Sequence, residues 1–292
     1  PYQIEPIVLL AEILRIEQNY TEAIAVLDAG LAKHSENIVL SLVKIDVLIR
    51  SNNADDARKL YLSLSDNIKN GHIKNGIEGK LALLDKSYDE AVRQLEPYYQ
   101  ASPNAQNLMY LVTAYIRNKQ RNEAIDVLTM FLEKNGFNEQ VTTVLANLYI
   151  EAGREALALK AYENIIREKP NNIIALNHAA WLSMENGDLA QATRFAKLAV
   201  ELAPEAPNVL DTYSQVLFKS GDSKVALGQA RKAYELSKGN NLDITLNYLD
   251  ILISSSRYNE AQIIVESLNV VNQSQQKRKT EIEQRIKLNT QG

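Results

Sequence analysis

Three histidines, His34, His72 and His178, are the side chains whose ordinary titration lies closest to neutrality, so any general acid–base site would draw on them first. None has a second His four residues away and no H-E-x-x-H stretch occurs, so the helical spacing that holds a zinc ion is missing. The chain has no Cys, which excludes a Cys nucleophile, thiolate metal sites and disulfides, and leaves the redox compartment open. Gly71, Gly76 and Gly79 could suggest a phosphate loop, but Gly76 is followed by Ile77-Glu78 instead of Lys and a hydroxyl residue, so that reading is rejected. With 36 Asp and Glu, neighbouring carboxylates are unavoidable and carry no acid–base signal. The expectation is a protein with no catalytic, cofactor-binding or metal-binding residues, and not an enzyme. One residue stands out for recognition instead. Trp181 is the single Trp, with Asn177 one helical turn earlier. An indole flanked by amides can stack on a peptide side chain or a sugar ring while the amides hydrogen-bond; the competing reading has it packing between helices.

The background composition is mildly acidic: 32 Lys and Arg against 36 Asp and Glu leave a formal charge of −4 over 292 residues. A broad electrostatic surface for nucleic acid is therefore not expected, and Lys277-Arg278-Lys279 reads as a solvated face. No run of residues reaches the roughly 20 apolar positions that a membrane span needs.

The elements that would position Trp181 emerge when the chain is aligned with itself. Tyr20-Thr21-Glu22-Ala23-Ile24, Tyr88-Asp89-Glu90-Ala91-Val92, Arg121-Asn122-Glu123-Ala124-Ile125 and Tyr258-Asn259-Glu260-Ala261-Gln262 are variants of one phrase. With the weaker copies, the marker alanines are Ala23, Ala57, Ala91, Ala124, Ala158, Ala192, Ala226 and Ala261, separated by 34, 34, 33, 34, 34, 34 and 35 residues. If the marker is position 20, position 8 is small in Ala11, Gly79, Ala146, Ala180 and Ser214, and position 11 is large in Leu14, Leu48, Tyr115, Tyr149, Leu217 and Leu252. Small residues at 8 and 20 let two helices approach, bulky ones fill the space between, and Pro103, Pro170 and Pro204 at position 32 end the second helix. Gly153, Gly187 and Gly221 fall where a first helix stops in a left-handed cap.

This pattern resembles the tetratricopeptide repeat, a 34-residue helix–turn–helix unit, over essentially the whole chain. The resemblance implies an all-α, right-handed superhelix (an α-solenoid) of about eight repeats, spanning 4–37, 38–71, 72–104, 105–138, 139–172, 173–206, 207–241 and 242–271 of a single array over 1–292. A capping helix is expected over about 274–289, with Ile282 and Ile286 covering the last apolar face. Position 32 of a preceding copy would fall on Pro1, so a fragment of a longer repeat protein is expected. In this family one face of each first helix lines a concave groove. Between repeats five and eight that face would present Asn147, Asn177, Trp181, Met184, Asp211, Gln215, Phe218 and Asp250 as partner-binding residues. There it carries five acids (Glu151, Glu185, Asp211, Asp243, Asp250) against Lys219 alone, whereas repeats one to four carry Glu5, Glu12 and Asp46 against Arg15, Arg50, Lys80 and Arg117. Such a groove suits a basic peptide or a neutral glycan. Family members that clamp a chaperone C-terminus use a Lys/Asn set, and no matching Lys pair follows Asn147 and Asn177 here.

The tract Asn177-His178-Ala179-Ala180-Trp181-Leu182, with Gly187-Asp188, Leu202-Ala203-Pro204 and Val209-Leu210-Asp211-Thr212, is similar to repeat lipoproteins of bacterial exopolysaccharide and exosortase (PEP-CTERM) loci. That resemblance implies a periplasmic or envelope-associated scaffold for polysaccharide or surface-protein export, binding a protein or peptide, with a lipid anchor outside this chain and a cytoplasmic setting as the alternative. Two other functions stay open: direct polysaccharide binding, and a repeat domain attached to a larger enzyme.

Overall fold

The computed structural model describes residues 4–64, 71–268, 270 and 272–290. Among them the chain is entirely helical: seventeen α-helices, no strand, and no cis peptide bond. The first-helix/second-helix pairs are α1 (Glu5–Ile16) with α2 (Tyr20–Lys33), α3 (Ile38–Arg50) with α4 (Ala54–Ser63), α5 (Gly71–Leu84) with α6 (Tyr88–Ala101), and α7 (Ala105–Arg117) with α8 (Arg121–Asn135). They continue as α9 (Glu139–Glu151) with α10 (Glu155–Glu168), α11 (Ile173–Glu185) with α12 (Leu189–Leu202), α13 (Pro207–Lys219) with α14 (Ser223–Ser237), and α15 (Leu242–Ser254) with α16 (Tyr258–Glu266). A single helix, α17 (Gln273–Thr290), follows as the cap. The array divides into two compact units, Pro1–Gly136 and Phe137–Gly292. In each, every helix packs on its sequence neighbours, and first helices also touch one another, α1 on α3, α3 on α5, α11 on α13 and α13 on α15.

Backbone chemistry explains where the helices stop. At position 15 of all eight repeats the residue is left-handed: Gln18, Asn52, Lys86, Lys119, Gly153, Gly187, Gly221 and Ser256, with φ between 58° and 89°. The next amide donates to the carbonyl five residues back in every case, from Asn19 to Leu14 through to Arg257 and Leu252. This is the C-terminal cap in which a left-handed residue lets a late amide satisfy an orphan carbonyl. Glycine supplies it in the three repeats where it was expected, and five side-chain-bearing residues accept the same backbone. At the other end, Asn37, Asn104, Asn138, Asn172 and Asn241 precede first helices, and each side chain accepts from an amide of the first turn. Those asparagines recur near the repeat period and are a start signal that the search for small and bulky positions passed over. The three prolines each stand two residues beyond their second helix.

All eight marker alanines are fully buried. At Gly79, an added Cβ would lie 2.6 Å from Leu95 Cγ, so α5 and α6 meet at a distance only hydrogen permits. Gly76 and Gly79 lie inside α5, which removes the last trace of a phosphate loop. Ala158→Leu should therefore overpack the α9–α10 contact and cost on the order of 1–3 kcal/mol, while Ala156→Leu, on the exposed side of the same helix, should cost almost nothing. Denaturant melts of the two variants compare them directly; equal midpoints would refute the register. Glu163, on the same helix, is half-buried and accepts a 2.9 Å hydrogen bond from Gln191, so it would not serve as an exposed control.

Candidate functional site

In the second unit, α9, α11, α13 and α15 carry the eight residues expected to face a partner, and their surroundings differ. Met184 is 3% exposed and belongs to the apolar cluster with Leu176, Leu182 and Phe195, so it packs instead of contacting a partner. Position 12 of α11 turns inward because the helix is apolar around most of its circumference. Asp250 is engaged by the cap: Arg278 Nη2 donates to its Oδ2 at 3.0 Å and Arg285 pairs with its Oδ1. Asn147, Asn177, Trp181, Gln215 and Phe218 keep polar or aromatic surface. Asn147 is exposed and accepts a 2.6 Å hydrogen bond from the Tyr162 hydroxyl. Trp181 is half-buried against the core, as are Gln215 and Phe218 around theirs. Asn177 is half-buried, and its Oδ1 is buried without a hydrogen-bond partner among the described residues.

Asp211 is the most perturbed acid of the row. It is 8% exposed; Gln215 and Asn247 both donate to Oδ2 at 2.9 Å, while Oδ1 is buried and unpartnered among the described residues. Burial pushes its carboxyl up to about 6, against the opposing hydrogen bonds from Asn247 and Gln215; Asp243 adds to the rise and Arg278 opposes it. A raised folded-state value means that Asp211's contribution is fully favourable below its unfolded value near 3.8 and is lost as pH climbs through about 6. Asp211→Asn should accordingly stabilise the chain at pH 8 by about 1–2 kcal/mol and do little at pH 4. Paired denaturant titrations at the two pH values check this, and an equal change at both would refute it.

The expected acid excess in this unit does not survive pairing. Glu185 receives Lys219 Nζ at 2.8 Å, and α17 brings Arg278 and Arg285 to Asp250. Asn247 donates to Asp211 and accepts from Arg278 at 2.9 Å, so one hydrogen-bonded chain runs from α13 through α15 to α17. Within the basic run, only Lys277 keeps to a solvated face, beside Glu281. Lys279 donates to the Leu268 carbonyl and Arg278 joins the chain just described, which corrects the reading of all three as solvent-facing. Ile282 and Ile286 of α17 are buried in the apolar cluster that includes Leu249 and Ile264, as expected of a cap.

The first unit holds a constellation that the sequence reading counted without assembling. Asp46 on α3 and Lys80 on α5 stand 34 residues apart, in the same register of consecutive repeats, with Lys80 Nζ donating to Asp46 Oδ1 at 2.8 Å. Arg50 Nε donates to Oδ2, also at 2.8 Å. Lys80 Nζ sits 4.6 Å from the centre of the Tyr110 ring and the Arg50 guanidinium 5.5 Å from it. Burial works to raise the Asp46 carboxyl, but the charge of Lys80 and the hydrogen bonds from Lys80 and Arg50 outweigh it and hold Asp46 below the ordinary carboxylate value. Beside them opens a cavity of about 690 Å³, lined among others by Arg50, Lys80, Lys86, Arg117, Tyr20, Tyr88 and Tyr110. The signal that could have found it is the column of opposite charges one period apart, which also pairs Glu185 with Lys219.

A helix–turn–helix unit repeated eight times, with one alanine column fully buried and one left-handed column, is what family comparison then tests. A profile described as tetratricopeptide repeat matches residues 14–74 and 82–148, and a second of the same description matches 143–207, together more than half of the chain. The chain belongs to the tetratricopeptide-repeat family. Among curated proteins it resembles tetratricopeptide repeat protein 21A of Mus musculus, 24% identical over 130 residues, 44% of this chain. The match spans only about a tenth of that protein's length. Among solved structures, the chain resembles the APC/C hetero-tetramer Cut9–Hcn1 (TM-score 0.56, 13% identity, 96% of this chain and 55% of that one). It also resembles the MamA protein (TM-score 0.51, 17% identity, 57% of this chain and 92% of that one). At these identities the likeness is one of fold.

Tetratricopeptide repeats are in general non-catalytic scaffolds that bind other proteins. His178 stacks on Tyr162, ring centres 4.8 Å apart and 9° from parallel, and burial lowers its basicity, so it is a packing residue. Among the described residues no three His, Cys, Asp or Glu come together in a metal-holding group, and no helix is long and apolar enough to cross a membrane.

Proposed function

We propose that this tetratricopeptide-repeat chain is a non-catalytic scaffold that holds an extended segment of a partner protein along the first helices of its second unit. The observation that carries this reading is a pair of buried acceptors without partners among the described residues, Asn177 Oδ1 on α11 and Asp211 Oδ1 on α13, one repeat apart and flanked by half-buried Trp181, Gln215 and Phe218. An unpaired buried acceptor is costly, and an extended peptide presents amide donors that relieve it. The helices are packed before binding, so little ordering cost falls on the protein side. Asn147 extends the row by one repeat.

Trp181 is the reporter. Its emission should shift when a binding peptide from a random library is added, and Asn177→Ala should abolish the shift. If bacterial exopolysaccharide moves the emission and no peptide does, the protein-scaffold reading fails and direct glycan binding replaces it. The setting we propose is the bacterial envelope, in exopolysaccharide or surface-protein export, supported by the resemblance of the Asn177–Leu182 tract; recovery of the native protein wholly in the cytosolic fraction of its cells would end that part.

A further inference from the structure

The cavity of the first unit has chemistry opposite to that of the row in the second, and its case stands independently of that row. Four cations face it, Arg50, Lys80, Lys86 and Arg117, and no acidic side chain lines it among the described residues. Asp46 lies behind two of them and accepts once from each, so it neutralises one charge and leaves the group with an excess. Arg50 spends only Nε on Asp46; its two terminal nitrogens have no partner among the described residues, the geometry that forks onto a carboxylate. Lys86 and Arg117 stand exposed at the rim and form no ion pair among the described residues. The Tyr110 hydroxyl, buried and unpartnered among the described residues, is a further donor with no acceptor.

We propose that this cavity binds the side-chain carboxylates of an acidic peptide segment from a partner protein. Lys80 and Arg50 are held in place by Asp46 and by the Tyr110 ring, so an incoming carboxylate meets cations that are already oriented. The tyrosine walls provide apolar area for the peptide between its acids. A peptide fits better than a nucleic acid. The basic charge is confined to one cavity on a chain of net charge −4, whereas backbone binding needs a row of phosphate contacts.

The test uses the 292-residue chain and fluorescence anisotropy with three labelled probes: a peptide alternating Asp and Gly, its Lys–Gly counterpart, and a single-stranded oligonucleotide. The Asp–Gly peptide should bind, weakening as salt rises, and Lys86→Ala combined with Arg117→Ala should weaken it about tenfold or more. Because both residues are exposed and unpaired, that variant should keep the parent's circular dichroism and melting curve. Tyr110→Phe should weaken binding by a smaller factor. Equal binding of the Asp–Gly and Lys–Gly peptides, no binding of either, or an affinity untouched by the double variant would overturn the proposal. So would an oligonucleotide that displaces the Asp–Gly peptide through the same residues.

Discussion

Tyr162→Ala should cost the second unit about 3–5 kcal/mol, the range for deleting a fully buried aromatic. Tyr162 is 0% exposed and sits on α10 beneath the α11 helix, where it packs in the cluster that includes Ala146, Leu176 and Ala180. Three contributions vanish together: the buried ring area, the parallel stack with His178, and the 2.6 Å hydrogen bond to Asn147. The apolar share dominates, because Tyr162→Phe removes only the hydroxyl and should cost about 1 kcal/mol. Trp181 packs against the same cluster, so its fluorescence in a urea titration reports this core locally. That matters because repeat arrays need not unfold in one step. A loss below about 1 kcal/mol for Tyr162→Ala would mean that the ring is not the centre of this core. An equal loss for the Phe variant would put the hydrogen bond, and not the packing, in charge.

Asp46→Ala should cost the first unit about 2–4 kcal/mol, since it removes both charge-assisted hydrogen bonds and leaves Lys80 and Arg50 facing each other. Lys80 has 10% of its side chain exposed, so in its present position it is poorly hydrated once Asp46 is gone. The pH dependence follows from sign. Asp46 is held below its ordinary value of 3.8, so its contribution is present above that value and disappears as pH falls through the lower, folded-state one. The gap between parent and variant, followed by far-UV circular dichroism in urea, should be full at pH 7 and should shrink only at strongly acidic pH. A gap that closed already between pH 7 and pH 5 would show that some other group holds the cations. The same variant would spoil the cavity by freeing Lys80 and Arg50 to reorient, which is why the binding test above leaves Asp46 alone.

Much of the repeat architecture was legible in the marker alanines, the position-8 residues and the three glycines. Each reports a requirement inside one repeat: a close helix approach, or a backbone angle that only some residues adopt cheaply. The exposure of the first-helix residues was legible in part. Asn177, Asp211 and Gln215 lie at predicted positions of the first helices, but Met184 faces inward, because α11 is apolar on so many sides that a periodicity count does not identify its wet face. Asp250 was read as open to a partner, since nothing in a helical pattern says that Arg278 and Arg285 of α17 will reach back about thirty residues to it.

What the sequence by itself determined is therefore the local and periodic part: helices, their left-handed stops, their asparagine starts and the buried alanine column. These are set by interactions within a few residues, repeated each period, and they hold whichever way successive repeats rotate. Only the tertiary structure decided the electrostatics. Whether Asp46 meets Lys80, Glu185 meets Lys219, or Asp211 loses its water depends on the side-chain spacing between neighbouring first helices and on what α17 covers. Charges separated by one period are neighbours only when the stack brings their helices together, and their energies depend on how much solvent the stack removes. For that reason a count of acids and bases pointed to an acidic groove in the second unit, while the folded chain pairs several of those acids and sets Arg50, Lys80, Lys86 and Arg117 around one cavity in the first.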